Sequence, residues 1–141
     1  RLPVVHPIAA PDDHRLAAEL AISTGRLLSE LRQRLLSEST PTYRIQSAGD
    51  SLAHQHLIDR LQAERPDDAV LSEEGSDDRS RLDAERVWIV DPLDGTRDYS
   101  NPYSDEWAVH VALVEQGEPT AGAVAVPDAD MFGSTEAPVL G

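Results

Sequence analysis

The chain has 141 residues, 40% of them hydrophobic and 27% charged, a size and balance that suit one globular domain with a real core. It has no cysteine, which removes disulfides and thiolate metal ligands, and all 12 of its Lys/Arg residues are arginine, which removes Schiff-base chemistry and a phosphate-loop lysine. A formal net charge of −14 argues against nucleic-acid polymers and acidic membranes as partners, while small phosphorylated molecules stay accessible if divalent cations bridge the like charges.

Residues 1–11, with Pro3, Pro7 and Pro11, read as a flexible lead-in that lacks both periodicity and the charged-then-apolar pattern of a leader. From Asp12, with Asp12 or Asp13 as cap, Leu16, Leu20, Leu27, Leu31 and Leu35 predict one side of an amphipathic helix, with Ala17, Ala21 and Leu28 alongside. Ser37 to Ser47 reads as a polar connector around Pro41, with room for a short strand at Tyr43–Ile45. A second helix is expected from Ser51 to Arg65 on the apolar positions Leu52, Leu57, Ile58 and Leu61, closed by Pro66.

Ala69 to Ser72 is then a short strand leading into Glu73-Glu74, and 75–86 a charged loop. Val87 to Val90 reads as a fully buried strand ending at Asp91-Pro92. After a loop at 92–106, Trp107–Val114 and Thr120–Val126 are expected as strands joined by the Gln116–Pro119 turn, with a fifth strand starting over Met131–Thr135. No run is long and apolar enough to span a membrane. Two helices followed by strands predict a layered α+β arrangement.

The chemistry concentrates in Asp91-Pro92-Leu93-Asp94-Gly95-Thr96. The buried strand holds Asp91 in place, and Pro92 and Gly95 are expected to turn the chain so that Asp94 returns towards it. Two carboxylates so placed, with the Leu93 carbonyl, could hold hard cations, and the N–H groups of Gly95 and Thr96 could cradle a phosphate. Asp-Pro and Asp-Gly are also ordinary turn pairs, Glu73-Glu74 an ordinary solvated pair, and Asp50 an ordinary N-cap. His110 reads as a sheet-face histidine satisfied by local partners, and His54 and His56, two apart on a helix, face different ways. Trp88 reads as core, and Arg97, Tyr99 and Tyr103 as loop residues near the site.

In this order, Ser47-Ala48-Gly49-Asp50, Leu71-Ser72-Glu73-Glu74 and Trp88-Ile89-Val90-Asp91-Pro92-Leu93-Asp94-Gly95-Thr96 resemble the signature of the inositol monophosphatase superfamily over about residues 12–128. Thr96-Arg97-Asp98-Tyr99 and Leu61–Glu74 are similar to its CysQ-type branch of 3′-phosphoadenosine 5′-phosphate phosphatases. The resemblance implies the helix and antiparallel-sheet half of a layered αβαβα sandwich and a cytoplasmic, Mg²⁺-dependent phosphomonoesterase that uses two or three ions. It implies Glu73, Asp91 and the Leu93 carbonyl at the first ion, and Asp91 with Asp94 at the second. Asp50 and Thr96 would activate water, and Gly95 and Thr96 would bind the substrate phosphate. A homodimer is compatible with it. Residues 12–141 are then expected to form the N-terminal metal-binding domain, without the W-D motif that the family carries further on. Inositol monophosphate or a sugar phosphate is the alternative substrate, and a non-catalytic metal-binding or interaction module the alternative role.

Overall fold

The computed structural model describes residues 11–72 and 84–127. Its elements are helix α1 (Pro11–Ser37), helix α2 (Thr42–Glu64), strand β1 (Ala69–Ser72), strand β2 (Arg86–Asp94), the one-turn helix α3 (Thr96–Tyr99), strand β3 (Ala108–Glu115) and strand β4 (Glu118–Ala125). The expected lead-in up to residue 10, most of the charged loop, Glu73-Glu74 and the fifth strand lie outside the described residues.

Helix α1 opens one residue earlier than expected, on Pro11, whose fixed φ and missing N–H suit a first helical position, and Asp12 and Asp13 occupy its first turn. It ends in a left-handed Ser39 (φ 55°), with Thr40 N–H returning to the Leu35 carbonyl and Ser39 N–H to that of Leu36. Of the segment read as a polar connector, residues 42–47 are instead the start of α2, so Tyr43–Ile45 is helix and not a short strand. Pro41 precedes this helix in an extended conformation, and its carbonyl accepts from the N–H groups of Arg44 and Ile45. The buried stripe of α2 is Ile45, Gly49, Ala53, Leu57 and Leu61, every fourth residue. Two of those five positions are Gly and Ala, which weakens the apolar signal while letting neighbours come close.

The four strands form one sheet in the order β1-β2-β3-β4. β1 runs parallel to β2, while β2, β3 and β4 are antiparallel neighbours, so the sheet is mixed rather than wholly antiparallel. β3 and β4 join through Gln116-Gly117, both at positive φ (51° and 80°), the two-residue turn whose twist matches a hairpin. α1 packs on β3, β4 and α2, and α2 on β2. Trp88 and Val90 of β2 and Val109, Val111 and Leu113 of β3 are buried, and opposite the β3 residues β4 supplies only Ala125, Ala123 and Ala121. Small residues there let α1 approach, and a Cβ on Gly25 would already touch that of Ala125 at 3.7 Å. No helix among the described residues is long and apolar enough to cross a membrane.

Candidate metal centre

Strand β2 continues past Asp91, and no tight turn follows it. Pairing with β3 is one-for-one from Arg86↔Glu115 to Asp91↔His110, after which Asp94 pairs with Ala108. Three steps on β2 therefore match two on β3, so β2 carries a bulge. Pro92 sits inside it, a place where a residue without N–H disturbs no ladder bond. Directly paired residues share a face of the sheet, and so do residues two apart on one strand. Asp94, paired with Ala108, thus emerges on the face of Asp91 and His110, although its odd spacing from Asp91 would send it to the other face in a regular strand. The bulge does what the expected turn was to do.

Asp91, Asp94 and His110 each offer a ligand atom within 4.8 Å of the others. They border a shallow cleft with Ile89 and Ala112. His110 Nε2 lies 3.1 Å from Asp94 Oδ2, with both side chains well exposed. Two carboxylates and an imidazole form a donor set that can hold a divalent cation.

Gly95 follows β2 at φ 84°, a left-handed conformation, and a Cβ there would lie 2.5 Å from the Glu106 carbonyl oxygen. Only glycine meets both demands. The chain then enters α3, anchored by Tyr99, whose hydroxyl donates to the Leu28 carbonyl at 2.6 Å and whose ring meets Trp107 edge-on at 5.1 Å. Arg32 of α1 donates to the carbonyls of Tyr99, Asn101 and Ser104, tying down the following loop.

The first residue of α3, Thr96, donates its hydroxyl to Asp50 Oδ1 at 3.1 Å, and the Leu93 carbonyl, 3.4 Å away, is a second acceptor for the same proton. Asp50 is not an N-cap. It lies well inside α2, and Gly49 before it lets that helix press against Tyr99 and Leu93. Burial pushes the Asp50 carboxyl above the ordinary aspartate range, and the hydrogen bond from Thr96 offsets this only in part.

The structure thus brings Asp91 and Asp94 together on one face of β2, and Asp50 and Thr96 together beside its end, with Leu93 and Gly95 between them. Glu73 lies outside the described residues. Sequence reasoning assigned His110 no role. Alternation with Val109 and Val111 sends it away from the core, but only the register puts it opposite Asp91. His54 meets the Ser72 hydroxyl at 2.9 Å and His56 that of Ser23 at 2.9 Å, on different sides of α2 as their spacing demands.

A sequence profile of the Inositol monophosphatase family matches residues 13–137. A 3′-phosphoadenosine 5′-phosphate phosphatase of Mycobacterium leprae is 51% identical over 113 residues, covering 80% of this chain and 40% of the relative. Among solved structures, CysQ from Bacteroides thetaiotaomicron is 30% identical with a TM-score of 0.64, covering 82% of this chain and 42% of that one. Mycobacterium tuberculosis SuhB is 27% identical with a TM-score of 0.64, over 81% of this chain and 40% of its own. The chain therefore spans about two-fifths of the length of these relatives.

Proposed function

The chain belongs to the inositol monophosphatase family, and from that premise we propose that it is the metal-binding part of a Mg²⁺-dependent phosphomonoesterase that converts 3′-phosphoadenosine 5′-phosphate to AMP and phosphate. The name of the Mycobacterium leprae phosphatase supports this substrate, and that of the Escherichia coli 3′(2′),5′-bisphosphate nucleotidase CysQ, 39% identical over 82 residues, supports its class. The observation that carries the reading is the bulge in β2, which turns Asp91 and Asp94 to one face beside the Thr96–Asp50 pair.

The donor set fits a hard cation, since Asp91, Asp94 and the Leu93 carbonyl are oxygen donors and an acidic chain offers them little competition from cations of its own. On this reading Asp91, the Leu93 carbonyl and Glu73 would hold one ion and Asp91 with Asp94 another, with two or three ions in all. Bound there, Mg²⁺ would neutralise the substrate phosphate and lower the pKa of water for in-line attack. Thr96 donates its hydroxyl hydrogen bond to Asp50, which leaves lone pairs of the threonine oxygen to accept from an attacking water. Asp50, with its raised pKa, takes up a proton more readily than an ordinary aspartate and is suited to general-base work. The N–H groups of Gly95 and Thr96 bind the substrate phosphate, so Gly95 is needed for close approach as well as for its conformation.

The test is Mg²⁺-dependent phosphate release from 3′-phosphoadenosine 5′-phosphate and from inositol 1-phosphate, with Asp91→Asn as control. We expect release from the nucleotide, reduced by about 100-fold or more in the variant. Faster release from inositol 1-phosphate would move the substrate to the inositol branch. No release from either, with metal still bound, would leave a non-catalytic metal-binding module.

A further inference from the structure

The metal centre contains one residue that its carboxylates do not account for. We propose that His110 is a positioning residue: its imidazole holds one oxygen of Asp94, so that the other oxygen is presented to the space shared with Asp91. The proposal rests on the metal-centre reading above.

The two ends of this contact differ in rigidity. His110 lies in the middle of a three-strand ladder, paired with Asp91 on one side and Val124 on the other, between the fully buried Val109 and Val111. Asp94 is the last residue of β2, beyond a bulge, and its side chain is 59% exposed. A carboxylate so placed is free to turn about its side-chain torsions unless something fixes it. The His110 Nε2–Asp94 Oδ2 contact at 3.1 Å does so from the rigid side. An exposed pair of this kind contributes little to stability, so its effect on folding is small. Its effect on metal binding is larger, because a ligand carboxylate held in place does not lose that freedom when the ion arrives. Hydrogen-bond partners of metal ligands typically change affinity by about 10–100-fold when removed.

The contact is also geometrically specific. Without the extra residue in β2, Asp94 would point to the opposite face and could not meet His110. The same bulge that pairs the two aspartates delivers the second of them to the histidine.

Mn²⁺ is the probe, titrated into the chain and followed by the electron paramagnetic resonance of the free ion. His110→Ala should weaken Mn²⁺ binding by about 10-fold or more, with the metal-free melting temperature unchanged. His110→Gln, whose amide can donate to the same oxygen, should stay within a few-fold of wild type. Asp91→Asn should abolish binding. Unchanged affinity in His110→Ala while Asp91→Asn fails to bind overturns the positioning role and leaves the metal centre standing. If His110→Gln is as weak as His110→Ala, or bound Mn²⁺ shows nitrogen coupling that His110→Ala removes, the imidazole is a direct ligand and the positioning proposal is wrong. If wild type does not bind Mn²⁺, or Asp91→Asn binds as well as wild type, the metal-centre reading fails and this proposal with it.

Discussion

Asp50 sits where its charge costs stability and where, on the proposed mechanism, it serves the chemistry. Its carboxylate is held inside a helix, half-buried, with the Thr96 hydroxyl as hydrogen-bond donor. Burial raises its pKa in the folded state above the unfolded value, so the folded chain holds the proton more tightly. The associated stability is fully present below the unfolded pKa and is lost as pH rises through the folded one. At neutral pH the ionised carboxylate therefore works against folding. Asp50→Asn keeps the size and removes the charge, and is expected to raise the metal-free melting temperature at neutral pH. On the proposed mechanism the same change lowers phosphate release by about 100-fold, since an amide cannot take the proton. Thermal melts in the presence of chelator, set beside turnover, check both halves. A lower melting temperature would mean that the Thr96 hydrogen bond to the charged carboxylate outweighs the cost of burying it.

At the scale of elements, the site depends on close approach between α2 and the segment that ends β2. A Cβ on Gly49 would lie 2.5 Å from Tyr99 Cε2 and 3.0 Å from Leu93 Cδ2. Tyr99 cannot easily retreat, because it is fully buried, bonded to the Leu28 carbonyl and packed edge-on against Trp107. Gly49→Ala should gain up to about 1 kcal/mol in helix propensity and lose about 1–3 kcal/mol to overpacking. We expect net destabilisation, seen as a lower urea midpoint, together with a displaced Asp50 one residue on. A stabilised variant would show that Tyr99 has room to move.

For the molecule as a whole, Arg86 is the residue that joins distant parts of the chain. Its guanidinium contacts Asp13 in the first turn of α1, Asp68 ahead of β1 and Glu115 at the end of β3, at 3.0–3.2 Å. Trp88 Nε1 adds a hydrogen bond to Asp68 at 2.9 Å, and Arg65 a second cation to Asp13 at 3.0 Å. The three carboxylates are only 6%, 8% and 2% exposed, so none can turn to water if the arginine is removed. Arg86→Met should cost about 3–5 kcal/mol, read from denaturant melts, with the deficit shrinking in acid as the stranded carboxylates protonate. For Asp13, burial alone would raise the pKa, but the hydrogen bond from Arg65 and the charge and hydrogen bond of Arg86 outweigh it and the net shift is downward. The stability this contributes is present above the unfolded value near 3.8 and is lost as pH falls below that value through the folded pKa. In an Asp50→Asn background, which removes the opposing titration of that carboxyl, melting temperatures should therefore hold level from neutral pH and then drop below about pH 4.

Much of this protein can be read along the chain, because the relevant signals are local. The heptad-like leucines of α1, the unbroken Val87–Val90 run and the Gln116-Gly117 turn express helix, strand and hairpin through residues a few places apart. The run from Asp91 to Thr96 announces its chemistry in the same way. The start of α2 was hidden because its buried stripe uses Gly49 and Ala53, whose value lies in what they let approach rather than in their own apolar surface. The contacts that build the site and tie the fold together were not local. The bulge in β2 is defined only against β3, the Thr96–Asp50 bond joins residues 46 positions apart, and Arg86 reaches Asp13 across 73. Sequence by itself determined which groups were available to hold a cation and which strand would carry them. Tertiary structure alone decided which face they share and that His110 stands beside them, because register between strands depends on the packing of a whole sheet and not on any one segment of it.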